Sequence, residues 1–377
     1  MTPSRLPLAD IRVVAVEQAV AAPLCTRHLA DLGADVIKVE RPDGGDFARG
    51  YDGAVHGLSA YFVWLNYGKR SVVLDLRTED GRRGLERLLG RAQVLVHNLG
   101  PRALARLGFD DDRLASGWPS LVRCAISGYG PDGPFRDRKA FDLLLQGESG
   151  LLATTGSGDA RAKVGISIAD IAAGMYATTA ILAALRQRDR TGEGAAIEVS
   201  MLECLAEWMA VPALYERYTG RAPERTGTRH ASIVPYGPFS CADGVVNLAV
   251  QNRGQWERLC RGVLERPELI DDHRFAANEA RVRERAILEP IIDEVLGALP
   301  LATVRTRLAS ADVPFGDVND VAGLLAHEQL EARLRWQDIA TAGGSVRLPR
   351  PPFEAAGTAT PGRSVPELGE HTREVLG

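Results

Sequence analysis

The sequence predicts an α/β protein whose large domain holds a mostly parallel sheet covered by helices. Two observations support this: short, continuously apolar runs bounded by Gly, Pro, Asp or Asn, and helical patterns between those runs. Five such runs fall at residues 13–17, 36–40, 72–76, 94–96 and 121–126. Buried parallel strands are apolar on both faces and are joined by crossover helices, so this alternation favours a doubly covered sheet.

The remaining elements follow in order along the chain. Helices are predicted at 23–32, 81–91 and 168–188, the last rich in Ala and followed by a turn at 191–194 and a strand at 195–199. A helix at 201–218 leads to a polar, turn-rich linker at 222–228, a hairpin at 237–250 and a mostly helical stretch at 253–326. The tail from residue 343 is predicted to be Pro-rich and extended. These patterns predict a large domain of residues 1–220, completed by 330–377, and a smaller α+β domain of 221–329.

Composition excludes several classes of protein. The chain has 377 residues, with 45 Lys and Arg against 49 Asp and Glu, a formal charge of −4. This balance argues against a nucleic-acid binder, which needs a basic excess. Five scattered cysteines without a C-x-x-C pair favour a reduced, cytoplasmic protein. We expect no export signal, and no apolar run of membrane-spanning length.

Common nucleotide, metal and hydrolase motifs do not occur in the sequence. The segment Gly68-Lys69-Arg70-Ser71 resembles the end of a Walker A loop, but Val63 stands where the first glycine should be. Strand one is followed by no G-x-G-x-x-G, the seven histidines form no H-x-x-x-H pair, and no G-x-S-x-G is found. We therefore expect no metal and no nucleotide triphosphate.

Asp170 is a charged residue at the start of an apolar, small-residue helix. One interpretation is an N-cap, whose carboxylate accepts hydrogen bonds from first-turn amides. The other is a carboxylate in a cleft that acts as a covalent nucleophile, its charge stabilised by the helix N-terminus. Both interpretations can hold together.

Basic residues recur near the ends of the predicted strands: Arg41, Arg77, Arg106 and Lys139. Ligands bind outside the carboxyl ends of parallel strands, so these cations could surround phosphates. Each one taken singly could equally be a solvated surface charge. Their recurrence after successive strands favours the binding interpretation.

Several ordered segments together resemble the class III CoA-transferases, also called CaiB/BaiF, a family that includes formyl-CoA transferase and the α-methylacyl-CoA racemases. The likeness covers nearly the whole chain. It lies in segments 22–23, 32–41, 45–46, 66–76, 98–101, 127–130, 146–150, 170–174, 183–194 and 369–372.

The resemblance implies a Rossmann-like large domain that binds coenzyme A, an interlocked homodimer, and Asp170 as the catalytic aspartate. It assigns CoA contacts to Val20, Ala21, Arg41, Leu74, Arg77, Asn98, Leu99, Arg106 and Lys139. In such a reaction the thioester energy is conserved, so neither metal nor nucleotide triphosphate is required. The substrates are an acyl-CoA and a carboxylic acid; neither a nucleic acid nor a membrane is expected as partner.

Two other functions remain open. A 2-methylacyl-CoA racemase would use a His/Asp pair, but Phe141 precedes Asp142 where the histidine should stand. A CoA-binding protein without turnover would retain the cationic groove but would have no use for Asp170.

The substrates are indicated more weakly. Residues 47–52, 61–66 and 230–238 resemble a subgroup that acts on C4 to C5 dicarboxylates such as mesaconate, itaconate, citramalate and succinate, with succinyl-CoA as a donor. Arg49, Arg229 and His230 could pair with the distal carboxylate of such an acid. The alternative is that these three are ordinary surface or dimer-interface residues.

Overall fold

The computed structural model describes residues 6–100, 102–353 and 363–377. In chain order, its strands and helices are β1 (Arg12–Val16), α1 (Ala21–Asp31), β2 (Asp35–Glu40), α2 (Ala60–Asn66), β3 (Arg70–Val73), α3 (Glu79–Leu89), β4 (Val94–His97), α4 (Ala103–Arg106), α5 (Asp111–Gly117), β5 (Val122–Ser127), α6 (Asp142–Glu148), α7 (Leu151–Thr154), β6 (Gly156–Ser157), β7 (Ala160–Arg161), α8 (Ile168–Thr191), β8 (Ala196–Ser200), α9 (Met201–Trp208), α10 (Ala210–Thr219), β9 (Tyr236–Cys241), β10 (Gly244–Ala249), α11 (Arg253–Gly262), α12 (Asn278–Arg283), α13 (Arg285–Gly297), α14 (Leu301–Ser310), β11 (Phe315–Asp317), α15 (Val321–Leu325), α16 (Glu328–Ala332), β12 (Trp336–Thr341), β13 (Gly344–Pro349) and α17 (Thr372–Leu376). Short 3-10 helices lie at Phe47–Gly50 and Pro267–Leu269.

A six-stranded sheet in the order β3-β2-β1-β4-β5-β8 forms the centre of the first compact unit. All five neighbouring pairs are parallel. The strand order reverses between β1 and β4, where Val13 pairs with Val36 on one side and Val94 on the other. Ligands of doubly wound sheets bind at such a reversal, outside the carboxyl ends of the strands. The predicted α/β architecture with a parallel sheet is confirmed.

The first unit comprises Met1–Ser149, Val164–Met209 and Gln329–Gly377, and the second comprises Gly150–Lys163 and Ala210–Glu328. The second unit thus includes residues 150–163 and α10, which the sequence places in the large domain. Backbone contacts explain the difference for 150–163: Ser157 forms a bridge with Thr226, and the Gly227 amide donates to the Gly156 carbonyl at 2.8 Å.

The core of the first unit consists of β-branched and leucine side chains from the strands, packed against helices. Val14, Ile37, Val72 and Leu95 from four strands form one cluster with Leu85 and Leu89 of α3. The second unit has its own core around the antiparallel sheet β11-β10-β9, in which Trp256 and Phe239 are fully buried.

Two local predictions were wrong. The third strand ends at Val73, not Leu76, because Asp75 accepts hydrogen bonds from the backbone and guanidinium of Arg77 and turns the chain out of the sheet. The helix predicted at 201–218 is two helices, α9 and α10. The tail from residue 343 is extended over Gly344–Pro349, as predicted, and there β13 pairs with β12 as an antiparallel hairpin.

Helix α8 has 24 residues and, alone among the described helices, is long and apolar enough by length and composition to cross a membrane. The sequence analysis predicts no apolar run of membrane-spanning length. Helix α8 reaches that length only if the charged residues near its two ends are counted as part of the run. Half of its apolar window is buried inside the unit. Ala169, Ala172, Ala173 and Ala177 are fully buried there, as expected for a closely packed core helix.

Candidate active site

The loop between β1 and α1 lies at the reversal point of the sheet. The Asn98 side chain holds this loop, since its carbonyl oxygen accepts from the Gln18 amide at 2.9 Å and its NH2 group donates to the Gln18 carbonyl at 2.8 Å. Ala19 follows with φ of 63°, a left-handed conformation that is uncommon for a residue with a side chain. The predicted contact residue Asn98 therefore orders the loop that carries Val20 and Ala21.

A cavity of about 250 Å³ opens beside this loop, at the carboxyl ends of β1, β2 and β3. Four of the predicted CoA contacts line it: Arg41, Leu74, Arg77 and Leu99. The Arg77 side chain is 70% exposed and Arg41 is also exposed, so both guanidinium groups can reach a bound anion. Apolar side chains beside two mobile cations suit a flat, aromatic base that carries phosphates.

Asp170 lies in the first turn of α8, next to the first residue of α1. The Ala21 amide lies close enough to its carboxylate to lower the pKa of Asp170. The two helices approach closely, because a Cβ added to Gly174 would lie 2.7 Å from the Ala21 carbonyl oxygen. Glycine at this position thus lets α1 bring a backbone amide to the carboxylate.

Burial raises the pKa of Asp170 to about 7, and the negative charge of Asp142 adds to this effect, while the Ala21 amide opposes it. Asp142 itself caps α8, because its carboxylate accepts from the Ala169 amide at 2.8 Å. Its other oxygen accepts from buried Gln146 at 2.7 Å. The two roles considered for Asp170 thus belong to two residues. Asp142 caps helix α8, and Asp170 is a half-buried carboxylate that titrates near neutral pH.

Two tyrosines near Asp170 were not predicted as site residues. The charge of Asp170 is among the causes that raise the pKa of Tyr51 to about 12, after burial and Asp46. Tyr61 packs edge-on against Tyr51, with ring centroids 5.7 Å apart, and both side chains are more than one-third exposed. The sequence signal that could have indicated them is a pair of aromatic residues between the predicted strands at 36–40 and 72–76.

The other predicted CoA residues lie around the same edge. Val20 is buried and packs with Leu24 and Leu65, so it presents backbone rather than side chain. Arg106 ends α4 and Lys139 lies in the loop before α6; both are exposed. A second cavity of about 360 Å³, lined by Leu99 among others, lies beside α4.

The three predicted substrate residues all have internal partners. Arg49 donates to buried Glu40 through two bonds of 2.9 and 2.7 Å. In the second unit, the Arg229 guanidinium lies 2.6 Å from Glu289 and 3.1 Å from Asp293. His230 stacks on Tyr236 at 5.1 Å.

The sequence analysis did not predict a set of buried charged side chains. Glu17, Lys38 and Lys69 are fully buried in the first unit, and Glu17 forms an ion pair with each of the two lysines. Across the described ranges, no group of three His, Cys, Asp or Glu side chains could hold a metal ion.

The chain is similar to known proteins over almost its full length. The model of CoA-transferase family III matches residues 8–372. A succinate–glutarate CoA-transferase of Agrobacterium fabrum is 37% identical, over 98% of this chain and 95% of that protein. A succinyl-CoA:mesaconate CoA-transferase of Haloarcula hispanica is 32% identical, over 98% and 95%. The crystal structure of a CaiB/BaiF family protein from Brucella suis has a TM-score of 0.85 and 36% identity, covering 99% of each chain. The carboxylate of Asp170, the cavity at the carboxyl ends of β1, β2 and β3 and these matches lead to one conclusion: the chain belongs to CoA-transferase family III and is a CoA-transferase.

Proposed function

We propose that this enzyme moves coenzyme A from a donor acyl-CoA to a carboxylic acid through covalent intermediates on Asp170. The observation that carries this proposal is a half-buried carboxylate with a raised pKa, beside the Ala21 amide at the start of α1. Ala21 lies three residues after Gln18, which lines the cavity at the sheet edge. Three residues span at most about 11 Å, so a long, flexible thioester bound at that cavity can reach Asp170.

The chemistry proceeds in four balanced steps. An Asp170 oxygen attacks the thioester carbonyl, which forms a mixed anhydride and expels the CoA thiolate. The thiolate attacks the aspartyl carbonyl, which releases the donor acid and leaves an aspartyl-CoA thioester. The acceptor carboxylate attacks that carbonyl and expels the thiolate again, and the thiolate finally attacks the acceptor carbonyl. The product acyl-CoA and free Asp170 result.

The cavity with Arg41 and Arg77 at its rim is the proposed site for the adenosine phosphate end of CoA. Leu74 and Leu99 supply apolar surface for the base, and the two guanidinium groups supply charge for the phosphates. Arg106 and Lys139 are proposed to contact CoA from the neighbouring loops. In this conformation Arg77 is paired with Asp75 at 2.8 Å, an exposed pair that phosphate can displace.

We propose a C4 to C5 dicarboxylate as the acceptor and succinyl-CoA as a donor. Two relatives are named for succinate and glutarate or for succinyl-CoA and mesaconate, which supports this class. Roles for Arg49, Arg229 and His230 in binding the distal carboxylate remain a prediction. The ion pairs of Arg49 and Arg229 weigh against a substrate-binding role for these two residues. Each guanidinium would have to give up its carboxylate partner within the protein in order to bind the carboxylate of the substrate.

We also propose that the enzyme is a homodimer, interlocked as in its family. Helices α6, α8 and α9 pack on one another and expose large apolar side chains, with Phe141 at 61%, Leu144 at 52% and Met175 at 50%. Apolar exposure on neighbouring helices is typical of an oligomer interface. Light scattering after gel filtration tests this proposal: a mass of 40.6 kDa would reject it, and twice that mass would support it.

Trapping the covalent intermediate tests the mechanism. The enzyme is incubated with succinyl-CoA, treated with hydroxylamine or borohydride, and digested for mass spectrometry. We expect a modification on Asp170 and none in Asp170→Asn. Labelling elsewhere, or full activity of Asp170→Asn, would reject the mechanism.

Loss of α-deuterium from a 2-methylacyl-CoA without any acceptor would instead indicate a racemase. Phe141, which precedes Asp142 in this chain, argues against that outcome because it has no group to carry the proton.

An acceptor screen with succinyl-CoA tests the substrate class. Glutarate, mesaconate and itaconate are compared with oxalate and with monocarboxylates of equal length. Turnover confined to oxalate or to monocarboxylates would reject the dicarboxylate proposal while leaving the mechanism intact.

A further inference from the structure

Six ionisable side chains form a closed, charge-balanced network beneath the loop between β1 and α1. Lys69 donates to Glu17 at 2.7 Å, and Lys38 lies 2.8 Å from Asp46 and 3.4 Å from Glu17. Glu17, Lys38 and Lys69 have no exposed side-chain surface. The network continues from Asp46, whose amide donates to Glu40 at 2.9 Å, and from Glu40 to Arg49. Three carboxylates thus face three cations.

The network is costly to bury and is not explained by packing. Removing charges from water carries a penalty of several kcal/mol for each ion, and apolar side chains of the same volume often stabilise a fold as well or better. Burial opposes the ionisation of Glu40, yet hydrogen bonds from Arg49 and the charge of Lys38 hold the pKa of Glu40 at about 2. Glu40 is therefore ionised at neutral pH, and a function in positioning would account for the buried charges.

The network holds the backbone on both sides of Val20 and Ala21. On the N-terminal side, Asp46 accepts from the Ala19 amide at 3.0 Å. On the C-terminal side, Lys69 donates to the Pro23 carbonyl at 2.9 Å, and the Thr26 hydroxyl donates to Glu17 at 2.7 Å. The segment between these anchors includes the left-handed residue Ala19, a conformation that persists only where surrounding contacts enforce it.

We propose that Asp46, supported by Lys38, is a positioning residue that keeps the Ala21 amide on the Asp170 carboxylate during CoA transfer. The proposal rests on the proposed function of Asp170. Asp46 acts through the Ala19 amide, and Ala21 lies two residues further along the same restrained loop. The reacting carboxyl group exchanges between free acid, anhydride and thioester, and a fixed amide donor keeps it in one orientation throughout.

The groups that face Asp170 determine its pKa, and that pKa can be followed in the pH dependence of kcat/KM. They are Asp142 from α6, Tyr51 from the loop after β2, and the Ala21 amide from α1. Of these, only the amide lowers the pKa of Asp170. Displacing the amide must therefore raise that pKa, and the acid limb of kcat/KM must move to higher pH.

Two substitutions of Asp46 separate its roles. Asp46 also caps the 3-10 helix at Phe47–Gly50 by accepting from the Ala48 amide. Asp46→Ser keeps a good capping residue but has too short a side chain to hold the Ala19 amide as well. Asp46→Asn keeps an acceptor oxygen for Ala19 but loses the charge and the carboxylate oxygen that accepts from Lys38 at 2.8 Å. Asp31→Asn is the matched control, because Asp31 is a buried aspartate at the other end of α1, paired with Arg27 at 3.0 Å.

We expect Asp46→Ser to lower kcat at least tenfold, with KM for succinyl-CoA within about twofold of wild type, and to move the acid limb up by about 0.5 pH. We expect Asp46→Asn to retain kcat within about threefold and to leave the acid limb in place. Asp31→Asn should lower the melting temperature without moving the acid limb.

Several results would overturn the proposal. One is a loss of kcat in Asp46→Ser that is no larger, for the same fall in melting temperature, than the loss of kcat in Asp31→Asn. Another is an unmoved acid limb in Asp46→Ser. If Asp46→Ser does not fold, Asp46→Asn decides alone: a tenfold loss of kcat with an unchanged KM would show that the charge, and not the acceptor for Ala19, matters. Labelling of Asp170 in the wild type tests the proposed function separately, so the two proposals fail independently.

Discussion

The raised pKa of Asp170 predicts that Asp170→Asn stabilises the protein at alkaline pH. Its pKa rises from 3.8 in the unfolded chain to about 7 in the folded protein, chiefly through burial. Between these values the folded state holds a proton that the unfolded state has lost. Stability from this group is therefore complete below pH 3.8 and falls as the pH rises to 7.

The size of this effect follows from the two pKa values. A difference of about three pH units, at about 1.4 kcal/mol each, gives an upper limit of roughly 4 kcal/mol above pH 7. The carboxylate is only half-buried, so we expect about 2 kcal/mol, or a melting temperature about 4–8 °C higher for Asp170→Asn at pH 8.

Differential scanning calorimetry from pH 4 to pH 8 measures the difference between wild type and variant. We expect similar melting temperatures at pH 4 and a gap that widens up to pH 7 and is then constant. Asp10→Asn, a substitution of an exposed aspartate in the same unit, is the control and should show no such gap. Curves for wild type and Asp170→Asn that stay parallel across this range would refute the reasoning.

Three further substitutions test the site. Asp142→Asn removes the like charge beside Asp170 while keeping an acceptor for the α8 amide, so the acid limb of kcat/KM should move to lower pH; an upward or absent shift would contradict the assigned cause. Gly174→Ala places a Cβ 2.7 Å from a carbonyl oxygen of α1, and we expect a loss of about 1–3 kcal/mol in unfolding experiments, together with a larger fall in kcat than rise in KM. Arg77→Gln should raise KM for acyl-CoA about fivefold with kcat unchanged, since an exposed charged contact contributes about 1 kcal/mol; an unchanged KM would remove Arg77 from the CoA site.

The sheet and the helix that carries Asp170 could be predicted from the sequence because their signals are local. The buried strands are short runs rich in apolar residues, and the helix that carries Asp170 is rich in small and apolar residues. Four of the predicted CoA contacts line one cavity because residues after neighbouring parallel strands meet at one edge. The end of β3 was missed, since the turn depends on how one carboxylate, Asp75, folds back on Arg77.

The ion network could not be predicted, for a different physical reason. Lys38 occupies a strand position where alternation would allow a solvent-facing side chain, yet it is fully buried. Its partners Asp46 and Glu17 lie 8 and 21 residues away, and Lys69 lies 52 residues from Glu17. A lysine is almost never fully buried unless paired, and pairing is a property of the fold rather than of any sequence window.

Opposing influences set the chemistry of Asp170. Burial and the charge of Asp142 favour its neutral form, whereas the amide at the start of α1 favours the carboxylate. A fully solvated aspartate would be ionised but weakly nucleophilic, and one buried without a donor would stay protonated at neutral pH. The small residues of α8 bring α1 close enough for its amide to supply that donor, and the ionic network holds the Ala19 amide two residues before it. The apolar helix and the buried charges thus serve one purpose: a carboxylate that is desolvated and still available as an anion near pH 7.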